Sequence, residues 1–175
     1  LDRKVLRNRQ QKHTAKTLCT IKNNSIMRTL TLILSFFICL NLNSQNIQFN
    51  DSTFKQRLID EGIDTNFDDE ISIIEAEAVA YLDISYNWPE ISDIVEIHYF
   101  VNIDTLFCGG NNLTSIDVSN NSSLNVFDCS GNYNLDTLLL GNNTNLGQIN
   151  LDNVYTENSF EFSGLPNLKV LRFSH

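Results

Sequence analysis

Apolar residues recur through the second half of the chain at a fixed spacing. Ile103, Leu106, Cys108 and Asn111 align with Leu124, Phe127, Cys129 and Asn132 at a shift of 21 residues. Downstream, Leu113, Ile116, Val118 and Leu124 are separated by 3, 2 and 6, and Leu135, Leu138, Leu140 and Leu146 repeat those separations. The frame extends upstream to Val79, Leu82, Ile84 and Asn87. It extends downstream to Leu146, Ile149 and Leu151, where Val154 replaces the asparagine, and then to Leu168, Leu171 and Phe173. Units beginning at 79, 103, 124, 146 and 168 give periods of 24, 21, 22 and 22. A unit this short cannot bury its apolar residues alone, so the pattern predicts coils stacked into a continuous core. Each coil then has a short strand, a turn, a return and a second turn.

Side chains alternate along a strand. With the first, fourth and sixth places inward, the third and fifth places face outward: Tyr81 and Asp83, Thr105 and Phe107, Val126 and Asp128, Gln148 and Asn150, Val170 and Arg172.

This frame resembles the leucine-rich repeat, L-x-x-L-x-L-x-x-N-x-L, and in particular the secreted bacterial kind similar to internalins, whose ISDI run stands at 91–94. The resemblance covers about residues 79–175. It implies an α/β solenoid with a short parallel concave β-sheet, irregular convex returns and an N-terminal helical cap. It also implies a protein or glycan ligand met by the concave face. Phe107 between Asp83 and Asp128 has the makings of an aromatic anchor in a polar rim, against the alternative of an incidental exposed ring. Asn143, on the return, should lie on the opposite surface.

Two features of the frame carry local chemistry. Asn87, Asn111 and Asn132 share one place, where an inward amide can satisfy turn backbone groups; the alternative is that asparagine merely favours turns. Cys108 and Cys129 occupy the sixth, inward place of adjacent coils. Either they pack as free, small apolar groups, the reading preferred, or they are close enough to bridge.

Ahead of the first coil, Asp51 or Ser52 can cap a helix whose Phe54, Leu58 and Ile59 share one face, and Gly62 can close it. Counting from Asp64, oxygen-bearing side chains fall at places 1, 3, 5, 9 and 12: Asp64, Asn66, Asp68, Ser72 and Glu75. That is the EF-hand loop spacing, with the Glu70 carbonyl at place 7 and Ile71 at the apolar place 8. It predicts a weak Ca2+ site, since place 6, normally a glycine of positive φ, is Asp69. The competing reading uses the same residues without metal, as a capping box of Ser72 and Glu75 opening a second helix.

Composition refines this picture. The chain of 175 residues has a formal charge of −9, but eight of its twelve bases precede residue 30. From Gln45 onward four bases face twenty acids, a net −16. Such a surface repels phosphate backbones, so nucleic acid is excluded as a partner. Met27 and Arg28 open an apolar run at 30–40 that ends in polar residues, the layout of a cleaved secretory signal. The run is shorter than the about 20 residues of a membrane span, so no transmembrane segment is expected in the mature chain, which would be secreted or surface-located. The predicted organisation is a leader at 1–26, a signal peptide at 27–45, a helical cap with the EF-hand-like loop at 46–78, and repeats at 79–175, the last incomplete.

Nucleophile elbow, phosphate-loop, dinucleotide-binding and H-E-x-x-H motifs are absent. The one catalytic arrangement conceivable is a carboxylate pair of Asp128 and Asp152 on adjacent strands. A polar binding face is preferred, because a shallow surface does not exclude water. The expectation is a non-enzymatic binding module, with a spacer of a surface adhesin or the accessory region of a secreted enzyme as alternatives. The sequons at Asn112, Asn121 and Asn142 are read as by-products of asparagine-rich turns.

Overall fold

The computed structural model describes residues 45–86, 88–155 and 160–174. The leader expected at 1–26 and the signal expected at 27–45, apart from Gln45, lie outside these residues, as does Asn87. Helix α1 (Ser52–Asp60) starts where Asp51 caps it and ends at Gly62, whose φ of 76° suits a residue without Cβ. Its buried Phe54 and Leu58 face the first coil, and the Phe54 ring lies 6.5 Å from that of Phe100. Helix α2 (Ile73–Glu77) follows the acidic loop. An antiparallel bridge between Asn46 and Ser72 ties the segment before α1 to the start of α2.

The coils contribute β1 (Tyr81–Asp83), β2 (Thr105–Phe107), β4 (Val126–Asp128), β6 (Gln148–Asn150) and β7 (Val170–Arg172) to one parallel five-stranded sheet in that order. Its register pairs Leu82, Leu106, Phe127, Ile149 and Leu171, the fourth place of every coil. The architecture is the expected solenoid of about four turns.

The return side is more regular than expected in its middle. There β3 (Ser115–Asp117) and β5 (Thr137–Leu139) form a second parallel sheet, pairing Ile116 with Leu138. Identical 3, 2, 6 separations in both coils allow this, because the returns are then equal in length and stack in register. The first coil, two to three residues longer, instead forms a 3₁₀ turn at Val95–Tyr99. The core between the sheets holds Leu82, Ile84, Ile103, Leu106, Leu124, Phe127, Leu146 and Ile149, with Ile116 and Leu140 from the returns. Leu171 and Phe173 occupy inward places of the last coil yet are about half exposed. No helix among the described residues is long and apolar enough to cross a membrane.

Candidate functional site

The asparagine ladder forms. The Asn111 amide donates to the carbonyls of Ile84 (2.8 Å) and Cys108 (3.1 Å), and its oxygen accepts from the Ile91 N–H (3.1 Å). Asn132 repeats this one coil on, donating to Cys108 (3.1 Å) and Cys129 (2.9 Å) and accepting from Leu113 (3.0 Å). Each amide satisfies groups of two coils, which a mere turn-former would not do. Cys108 and Cys129 are free and fully buried. Their thiols are pushed well up by burial, and further by the nearby Asp128 charge.

A second asparagine column, on the return side, was not anticipated. Asn121 donates to the Ile97 and Phe100 carbonyls (2.9 Å each), and Asn143 to the Val118 carbonyl (2.8 Å). Both are buried, so Asn143 does not lie on the surface as expected, and the sequon at Asn121 is inaccessible in the folded chain. The signal was present in the sequence: both stand three residues before the first place of a coil, where Phe100 and Leu165 stand in the flanking coils.

The cap is joined to the first coil by Asp51. One carboxylate oxygen caps α1 through the N–H groups of Thr53 (2.7 Å) and Phe54 (3.2 Å). The other accepts from Ser92 N–H (2.7 Å), Ser92 Oγ (2.8 Å) and Asp93 N–H (3.2 Å) in the ISDI run. Burial pushes this carboxyl up, but the hydrogen bonds from Ser92, Thr53 and Phe54 outweigh it and hold it below its usual range.

In the 64–75 loop, Asp64 is buried and accepts from the N–H groups of Phe67 (2.7 Å), Asp68 (3.3 Å) and Asp69 (3.0 Å). Asp69 adopts the left-handed conformation expected of place 6, with φ 61°, and Phe67 does so at φ 60°. Glu75 completes the capping box with Ser72. Its Oε2 accepts from Ser72 N–H (2.9 Å) and Oγ (2.8 Å), and its Oε1 from Thr65 N–H and Oγ1 (2.8 Å each). Burial alone would raise this carboxyl, yet the four hydrogen bonds bring it down to about 2. Lys55 pairs with Glu70 at 2.8 Å. Asp64, Asp68 and Glu75 are thus turned to the loop's own donors, and among the described residues no three Asp, Glu, His or Cys side chains converge on a metal position.

On the five-stranded sheet, the outward residues stand in two columns as the register requires. Tyr81 and Phe107 meet edge to face at 5.8 Å. Phe107, Val126, Asp128, Gln148, Asn150, Val170 and Arg172 line a shallow groove of about 190 Å³ whose floor includes Phe127 and Ile149. Asp83 is turned to Ser85. Asp128 accepts from Ser130 N–H (2.9 Å) and Oγ (2.6 Å) and from the Asn150 amide (2.8 Å).

The Asp128–Asp152 pair does not form. Register sets Asn150 opposite Asp128, while Asp152 lies beyond the strand in a turn, accepting from Ser174 (2.8 Å). What the groove offers is the Phe107 ring at one edge, Val126 and Val170 among amide and carboxylate side chains, and Arg172, a surface for contact.

No family model matches the sequence, and no curated protein matches it. Among solved structures, an internalin from Listeria monocytogenes strain 4b F2365 is similar to it, with a TM-score of 0.50 and 19% sequence identity over 76% of this chain. The match spans 47% of that protein, about half its length. The fold of this chain is a leucine-rich-repeat solenoid similar to that internalin's.

Proposed function

We propose that the chain is a binding module of a secreted or cell-surface protein, with the outward face of the five-stranded sheet as its contact surface for a protein ligand. The observation that carries this reading is the groove along β4, β6 and β7, with Phe107 at its edge and Val126 and Val170 set among Asp128, Gln148, Asn150 and Arg172. The likeness to an internalin supports it, as does the 27–45 run for export. Asp128 and Asn150 act by bonding to each other, setting the groove's wall. The test is capture of a ligand on the immobilised chain, followed by affinity measurements. Phe107→Ala or Gln148→Arg should cost about 2 kcal/mol or more if they line the contact. Thr137→Arg, exposed on β5 of the other sheet, should cost nothing. Loss confined to Thr137→Arg would place the contact on the returns and refute the reading.

Calcium at the 64–75 loop belongs to the same proposal. Its support is the spacing of Asp64, Asn66, Asp68, Ser72 and Glu75 and the left-handed backbone at Asp69. Binding would draw Glu75 from its hydrogen bonds with Thr65 and Ser72, so the ion and the capping box compete for one carboxylate. Calorimetric titration with CaCl2 decides; heat absent up to millimolar calcium would leave the capping box as the loop's sole function.

A further inference from the structure

The edge where the strands of the larger sheet end carries a row of exposed aromatic rings that the core does not use. The tenth place of the first, third and fourth coils is Trp88, Tyr133 and Tyr155, and all three are exposed. Trp88, the only tryptophan of the chain, is 89% exposed. The Tyr133 and Tyr155 rings stack on each other, 13° from parallel with centroids at 5.8 Å.

Tyr86 adds a fourth ring at a steric cost. The eighth place of the first four coils is left-handed: Tyr86 (φ 49°), Gly110 (64°), Gly131 (67°) and Asn153 (58°). Their N–H groups each donate to the seventh-place carbonyl of the next coil, at 2.7–2.8 Å, so the turns stack in register. Glycine and asparagine adopt this backbone readily, whereas a bulky aromatic is an outlier there. The Tyr86 ring is nevertheless 80% exposed. It lies over Gly110, where a Cβ would stand 2.3 Å from it.

We propose that this edge is a second binding site, distinct from the sheet face, that takes a neutral polysaccharide chain. Flat ring faces are electron-rich and attract the polarised C–H groups of a sugar face. The neighbouring side chains are amides: Asn112 and Asn134, joined at 3.0 Å, carry both donors and acceptors, as hydroxyl groups require. Nucleobases would also stack on such rings, but a surface with twenty acids against four bases from Gln45 onward repels any polyanion. A protein loop would be better held by a recessed pocket than by an open ledge.

The test is native electrophoresis of the full chain through gels containing hydroxyethylcellulose, laminarin, mannan or xylan, with alginate as the polyanionic control. Tryptophan emission, which reports Trp88 alone, is read in parallel. At least one neutral polymer should retard the chain and shift the emission to the blue, and alginate should do neither. Tyr133→Ala and Tyr86→Gly should each weaken binding roughly tenfold, about 1.4 kcal/mol. Tyr86→Gly is also expected to keep the melting temperature, because glycine suits the left-handed backbone. Failure of every neutral polymer to retard the chain, retardation by alginate alone, or undiminished binding in both variants would overturn the proposal. The sheet-face reading would stand in each case, since it rests on Phe107 and not on these rings.

Discussion

Glu75→Gln isolates the hydrogen-bonded core of the cap. In the native chain the carboxylate accepts four hydrogen bonds, two on each oxygen. Glutamine preserves shape but replaces one oxygen with an NH2 group. On that side the N–H of Ser72 or of Thr65 then faces a donor and loses its acceptor. The carboxyl is lowered from 4.5 to about 2, and at 1.36 kcal/mol per unit this bounds its differential stabilisation at about 3 kcal/mol. Glutamine retains one acceptor, so the expected loss is about 2 kcal/mol, within the about 1–3 kcal/mol of an unsatisfied buried group.

The pH dependence follows from the direction of the shift. A carboxyl with a depressed folded pKa contributes stability that is complete above its unfolded value and fades as pH falls through the folded one. The difference in unfolding free energy between native chain and variant should therefore be flat above about pH 4.5 and shrink steadily towards pH 2, where the native group also becomes neutral. Urea unfolding followed by circular dichroism at pH 7, 4 and 2.5, in chelator, measures it. Equal midpoints at pH 7, or a difference that does not diminish with acid, would refute the account. Repeating the pH 7 arm in calcium adds a second reading: at a hundred times its dissociation constant the ion should stabilise the native chain by about 2.7 kcal/mol, and the variant by much less.

Asp51→Ala removes both the α1 cap and the link to Ser92; thermal unfolding should show a loss of about 2–3 kcal/mol, whereas Asp51→Ser should recover the cap but not the link. Asn132→Leu strips three hydrogen bonds from two coils and is expected to cost about 2–4 kcal/mol in denaturant unfolding; a neutral result would mean the ladder is dispensable. Cys108→Ala and Cys129→Ala should each cost about 1–2 kcal/mol through a small cavity. Both native thiols should resist alkylation when folded and react once denatured without reductant, and a chain lighter by two hydrogens with unreactive cysteines would reveal a bridge instead.

The sequence by itself determined the repeat. The spacing of Leu106, Cys108 and Asn111 and its recurrence at Phe127, Cys129 and Asn132 name inward places because strand geometry is local and every coil obeys it. The α1 cap and the capping box of Ser72 and Glu75 were legible for the same reason: helix capping depends on residues a few positions apart. The tertiary structure decided whatever depends on the adjoining coil. Asn143 reads as a surface turn residue until the preceding coil offers it the Val118 carbonyl. Asp128 looks like half of a carboxylate pair until register sets Asn150, not Asp152, opposite it. Asp51 caps a helix by local rules, but its second oxygen has a partner only because stacking brings Ser92, 41 residues on, against the cap. The second sheet arises likewise, since β3 and β5 carry few residues of their own and become strands through pairing. A solenoid repeats its inward pattern in every unit and so declares it in sequence, whereas contacts between units are formed once, in space.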